Sequence, residues 1–103
     1  MKMGTDYGQA AVIVVNWNGR HFLDDCLTAL EKQTYPNFEV TLVDNGSTDG
    51  SVEFVRERFP GVRIIGLAEN AGFAKANNLA IARALNDGAQ YVALLNNDTK
   101  ADE

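Results

Sequence analysis

Three apolar runs in this chain end in short clusters of Asn and Asp. Val12-Ile13-Val14-Val15 leads into Asn16-Trp17-Asn18, Leu42-Val43 into Asp44-Asn45-Gly46, and Leu94-Leu95 into Asn96-Asn97-Asp98. Such side chains can hold a nucleobase, a ribose or a hard cation, because they offer amide hydrogens and several oxygen acceptors. Asn16 and Asn18 can donate and accept at a base or sugar, yet Asn also favours strand-to-helix corners, and the segment alone fits either account. Asp44 is an acceptor-only carboxylate suited to a base N–H or to ribose hydroxyls, and Gly46 beside it permits close backbone approach. Ser47 and Asp49 are read as caps of the helix that follows. Asp98 can ligate a divalent cation, which would bridge a diphosphate that the chain lacks basic residues to neutralise. A strand ending in Asn-Asp is more often a turn, and one carboxylate makes a metal site only with phosphates and water to complete the shell. Asn77 and Asn78 are poor interior helix residues, so the pair points to a hydrogen-bonding duty, against the plainer account that one of them faces solvent or ties a loop to the sheet. Lys75 beside them is read as a solvated surface residue.

Other chemistries lack their residues. Asn16-Trp17-Asn18-Gly19 holds one glycine where the dinucleotide fingerprint GxGxxG needs three, and no GxxxxGK[ST] is present. A Rossmann-like oxidoreductase and a P-loop enzyme are both disfavoured. A formal net charge of -5 without a Lys/Arg cluster gives no footprint for nucleic acid. The single Cys26 falls among the apolar positions of a helix and is read as a small core residue, while His21 has no Cys or second His at ligand spacing. No apolar stretch approaches the roughly 20 residues of a membrane span, and the N-terminus lacks a secretory layout, so a cytoplasmic chain is expected.

The elements that must position these residues alternate. With 103 residues, 46% of them hydrophobic, the chain has room for one domain with a modest core. Residues 1–9 are expected to be a flexible leader and residues 10–103 the domain. Strands are predicted over Ala11–Trp17, Phe38–Val43, Val62–Leu67 and Tyr91–Leu95. The first is a continuous apolar run, as in a parallel strand covered on both faces. Helices are predicted over Arg20–Lys32, with Leu23, Cys26, Leu27 and Leu30 on one face, over Gly50–Arg58, capped by Ser47, Thr48 or Asp49, and over Gly72–Asn86. In the last, Phe73, Ala80 and Ala84 lie beside Ala74, Ile81 and Leu85, and Asp87-Gly88 makes the stop. Four strands interleaved with three helices imply an α/β, three-layer, Rossmann-like open parallel sheet in the order 3-2-1-4. The chain reverses direction between strands one and four in that order, opening a crevice at the carboxyl ends where the three polar clusters sit.

Taken together, Val12 to Gly19 (VIVVNWNG), Gln33 to Pro36 (QTYP), Glu39 to Ser51 (EVTLVDNGSTDGS), Asn70 to Asn78 (NAGFAKANN) and Leu94 to Thr99 (LLNNDT) resemble the nucleotide-sugar-binding half of family 2 glycosyltransferases of the GT-A fold. The resemblance implies that Asp44 contacts the base and that Asn16 and Asn18 form a lip around the nucleoside, with Gly46 and Asn78 in the same nucleotide-binding set. It places Asn96 and Asp98 at the family's DxD motif as diphosphate and metal contacts for Mn2+ or Mg2+, although Asn96 replaces the first acidic residue. The implied partner is a dTDP- or UDP-linked sugar, used by an inverting transferase in bacterial cell-surface polysaccharide synthesis, with wording most like rhamnosyltransferases. The parent would work at the inner face of the membrane. No residue from 1 to 103 matches the family's catalytic base, since Asp102 and Glu103 follow the motif too closely, and so the chain is expected to be a truncated, donor-binding portion, inactive alone. A second expectation is a non-catalytic nucleotide-binding or interaction module, homodimeric through an exposed edge at strand four.

Overall fold

The computed structural model describes residues 9–33 and 38–96. Among the described residues seven elements alternate: β1 (Ala10–Asn16), α1 (Arg20–Glu31), β2 (Phe38–Asp44), α2 (Ser51–Arg58), β3 (Arg63–Gly66), α3 (Phe73–Asn86) and β4 (Tyr91–Asn96). The four strands are parallel and lie in the order β3-β2-β1-β4, as the pattern of elements predicts. Strand and helix bounds shift from the expected ones by a residue or two, with β2 running on through Asp44 and β3 shortened at both ends.

The continuous apolar run of β1 serves two faces. Side chains alternate along a strand, so Val14 packs with Leu23, Cys26, Leu27, Leu30, Leu42, Val55 and Phe59 beneath α1 and α2. Ile13 and Val15 pack with Val43, Ala76 and Ala80 beneath α3. Two helices therefore cover one face of the sheet and one covers the other. The face of α1 is as the spacing predicts. Burial pushes the Cys26 thiol up, which keeps it neutral as a packing group.

The face of α3 differs from the expectation. Ala76, Asn77 and Ala80 are its buried residues, while Phe73 and Leu85 lie 57% exposed. Small side chains let the helix approach the sheet, and the bulky ones fall on the outer sides where no described element covers them. Its C-terminus closes as predicted: Gly88, at φ 97°, donates its N–H to the Leu85 carbonyl, and Ala89 donates to Ala84, the paired bonds of a Schellman stop.

Candidate functional site

Strand pairing sets the site. Asn16, the last residue of β1, lies opposite Asp44, the last of β2, and Val15 lies opposite Asn96 at the end of β4. The carboxyl ends of these three strands are thus level. Asn97 and Asp98 lie outside the described residues, as does the side chain of Asn96.

Asn16 and Asp44 meet directly. Asn16, fully buried, donates from Nδ2 to Asp44 Oδ1 at 2.9 Å and to Ser47 Oγ at 3.2 Å. Asp44 Oδ1 also takes the Ser47 hydroxyl at 2.7 Å, and Oδ2 takes the Ser47 backbone N–H at 2.9 Å. Asp44 as a whole is only 3% exposed. An Asp at a strand end folds this way because the next three residues turn back and point their donors at its oxygens.

Asn18 stands in the left-handed region at φ 50°, a conformation Asn tolerates, which agrees with its role in a turn. Its Oδ1 accepts the Thr48 backbone N–H at 2.8 Å, and its own N–H donates to Ser47 Oγ at 2.8 Å. Its Nδ2 makes no hydrogen bond among the described residues and remains a donor for another group.

Gly46 does provide a close approach, but to protein. At φ 83°, a Cβ built there would fall 2.6 Å from the Glu69 carbonyl carbon and 2.8 Å from the Asn70 nitrogen, so the β2 turn rests on the backbone of the loop before α3. Asn45 fastens the same two loops. Its Oδ1 accepts the Ala71 N–H at 2.8 Å and its Nδ2 donates to the Gly72 carbonyl at 3.3 Å. Of the Asn pair in α3, Asn77 is buried and Asn78 is exposed on the helix, so no described contact brings Asn78 to Asn16 and Asp44.

Two roles escaped the sequence reading. Asn45 is a buried tie, for which a lone Asn after a strand carries no distinct signal. Ser47 caps no helix, since Gly50 occupies the N-cap of α2. Asp49 serves both neighbouring helices instead. Its Oδ1 accepts the Ser51 N–H at 3.0 Å and the Ser51 hydroxyl, and its Oδ2 accepts the Arg20 N–H at 3.0 Å at the start of α1. Burial works to raise the Asp49 pKa, and hydrogen bonds from Ser51 and from the Arg20 backbone outweigh it, leaving the carboxyl below its ordinary value. An open hollow lined by Arg20, His21, Asp24, Asp49 and Phe54 borders this side of the cluster.

Among the described residues, no group of three or more His, Cys, Asp or Glu side chains is set to hold a metal ion. In sequence, Asn96 and Asp98 carry side-chain oxygens, the ligand type a hard divalent cation takes, and these side chains lie outside the described ones. No helix among the described residues is long and apolar enough to cross a membrane.

Comparison with known proteins agrees with this fold. The family model for glycosyl transferase family 2 matches residues 11–103. The chain is 34% identical over 96 residues to TuaG of Bacillus subtilis, a protein named for glycosyl transfer in teichuronic acid biosynthesis, covering 87% of this chain and 36% of TuaG. It is 35% identical over 72 residues to an N-acetylglucosaminyl-diphospho-decaprenol L-rhamnosyltransferase of Mycobacterium tuberculosis, covering 70% of this chain and 24% of that one. Among solved structures, the mannosyltransferase PcManGT of Pyrobaculum calidifontis, in complex with GDP-Man and Mn2+, superposes with a TM-score of 0.81 at 30% identity, over 91% of this chain and 28% of the other. TarS of S. aureus in complex with UDP-GlcNAc superposes with a TM-score of 0.76 at 28% identity, over 87% of this chain and 26% of the other. The chain thus spans about a quarter to a third of the length of these proteins. With its parallel sheet in the order 3-2-1-4, its polar strand ends and a family match from Ala11 onward, the chain belongs to glycosyl transferase family 2 and has the GT-A architecture.

Proposed function

We propose that residues 10–103 form the donor-binding part of an enzyme that moves a sugar from a nucleoside diphosphate to an acceptor hydroxyl by inverting displacement, in the making of a bacterial cell-surface polysaccharide. The observation that carries this reading is the Asn16–Asp44 pair, level with the end of β4. Asp44 Oδ1 is committed to Asn16 and Ser47, whereas Oδ2 receives one N–H and keeps acceptor capacity for a base N–H. Asn18 Nδ2 supplies a donor for the nucleoside, and Gly46 serves the site indirectly, by letting the β2 turn rest on the loop before α3. Asp98, with Asn96, would hold Mn2+ or Mg2+, which supplies charge neutralisation of the leaving diphosphate. The described residues contribute binding and orientation, and the acceptor site and catalytic base belong to the portion that relatives have in excess of this length. Residues 10–103 are accordingly assigned nucleotide binding, and the transfer itself is assigned to the whole enzyme. The solved relatives hold guanosine and uridine donors, so the base here is open among UDP, dTDP and GDP.

Calorimetric titration of the chain with UDP, dTDP and GDP, with and without Mn2+, tests this. Binding of one of them, strengthened by the metal and weakened at least tenfold in Asp44→Ala, is the expected result. Heat with none of the three, or unchanged binding in the variant, would defeat it.

A second reading, an interaction module that homodimerises through β4, is favoured by one observation: among the described residues β4 is an edge strand, and its Tyr91 and Leu94 are exposed. Light scattering decides it, because a strict monomer at high concentration excludes the dimer.

A further inference from the structure

Ser47, rather than Asp44, is the centre of the strand-end cluster. A hydroxyl has one hydrogen to give and two lone pairs to receive. Ser47 gives its hydrogen to Asp44 Oδ1 at 2.7 Å and receives from Asn16 Nδ2 at 3.2 Å and from the Asn18 backbone N–H at 2.8 Å. Its capacity is filled within the protein, which leaves it nothing with which to touch a ligand. Its backbone N–H meanwhile holds the other Asp44 oxygen. A carboxylate turns easily about its terminal torsion, and two bonds from one residue to its two oxygens stop that turning. The same hydroxyl fixes Asn18 at the β1 side of the rim.

We infer that Ser47 is a positioning residue of the nucleotide site: it orients the Asp44 carboxylate and so sets how sharply the site discriminates a base that carries a ring N–H. This rests on the donor-site reading above. Preorganising an acceptor removes the cost of ordering it on binding, so the effect is confined to ligands that use that acceptor.

The test takes whichever of UDP, dTDP and GDP binds the chain most tightly with Mn2+, and compares it with the analogue methylated at the ring nitrogen, N3 of uracil or thymine or N1 of guanine. The unsubstituted protein should bind the methylated analogue at least about tenfold more weakly, since a hydrogen bond to a charged group is lost. Ser47→Ala should weaken the parent nucleotide about threefold to tenfold and leave the methylated analogue unchanged, so that discrimination collapses, and Ser47→Thr, which keeps the hydroxyl, should restore it. Should Ser47→Ala not fold, Ser47→Cys fills the same place with a weak donor and carries the same comparison. If the Ser47 variant weakens both ligands equally, or neither, the inference is overturned while the donor site stands. If the unsubstituted protein binds all three nucleotides but ignores methylation, Asp44 does not read the base and the inference also falls. Failure of all three nucleotides to bind removes the donor site and this inference together.

Discussion

At the carboxyl ends of β1 and β2, Asn16, Asp44 and Asn45 are polar side chains buried with partners, whereas along α3 and β4 the apolar Phe73, Leu79, Leu85, Tyr91 and Leu94 stand exposed. Burial follows hydrogen-bond satisfaction in the first region and the count of covering elements in the second. The polar cluster can leave water because its members meet one another's donors and acceptors, and among the described residues no buried side-chain polar atom lacks a partner. Among the described residues, α3 is the one helix on that face of the sheet and β4 pairs with β1 on one side only, so the flank stays exposed.

The largest expected effect sharpens the contrast. Leu23 is fully buried between α1 and the sheet, and Leu23→Ala should cost about 2–5 kcal/mol in urea unfolding, through lost transfer energy and the cavity left behind. Leu79 is 43% exposed on α3, and Leu79→Ala should fall within about 0.5 kcal/mol. If the two substitutions cost the same, the flank is covered in solution and the contrast is broken.

Next in size is the contact that holds the β2 turn against the loop before α3. Gly46→Ala sets a β-carbon against three backbone atoms of Glu69 and Asn70 and also demands a left-handed residue, whereas Gly88→Ala at φ 97° meets nothing within 4 Å. The left-handed conformation alone costs roughly 1–2 kcal/mol. Gly88→Ala should therefore lose about that much, and Gly46→Ala distinctly more, with nucleotide binding falling along with stability. Equal losses at the two positions would show that the β2 turn has room to move.

Much of this molecule is legible in its sequence, for stated physical reasons. The run from Val12 to Val15 announces a strand covered on both faces, and the α1 stripe of Leu23, Cys26, Leu27 and Leu30 has a single apolar side, so both appear as read. Asn16 and Asp44 end adjacent parallel strands, which makes their meeting a consequence of topology. The face of α3 was not legible, because its apolar residues lie all around the helix and only the sheet's proximity selects Ala76 and Ala80. Ser47 and Asp49 read as local caps because their nearest donors are local. Asp49 does cap α2 through the Ser51 N–H, as read, but its second partner, Arg20, and the Ser47 partners Asn16 and Asn18 lie about thirty residues away in sequence and come near only when β1 and β2 pair.

A smaller effect separates the two ends of α1 and α2 from the rest. Asp49 accepts backbone N–H groups at the start of both helices, and Asp49→Ala should cost about 1 kcal/mol, the usual worth of an N-terminal cap. Its carboxyl is depressed in the folded chain, so the stability it contributes is present above the unfolded aspartate value of about 3.9 and is lost as pH falls through the lower folded value. Melting temperatures of the unsubstituted chain and of Asp49→Asn, compared across that acid window, should converge as the pH falls. A gap that stays constant down to the most acidic point would mean that the charge contributes nothing beyond the hydrogen bonds.

The smallest effect lies at the opposite end of the sheet, where polar groups are joined in water. Arg63 at the start of β3 donates from one guanidinium nitrogen to Glu39 of β2 at 3.3 Å and to Asp87 beyond α3 at 3.0 Å, with about half of each partner's side chain shielded or more. Exposed pairs of this kind contribute about 0.2–1 kcal/mol and are screened by salt. Arg63→Ala should accordingly lower stability by no more than about 1 kcal/mol at low ionic strength, and by almost nothing in roughly 1 M salt. A loss well above that, unaffected by salt, would mean that the aliphatic stem of Arg63 packs as a core group. The amino end of the sheet would then share the tight construction of the Asp44 end, and the burial of polar groups beyond β1 and β2 would no longer set that end apart.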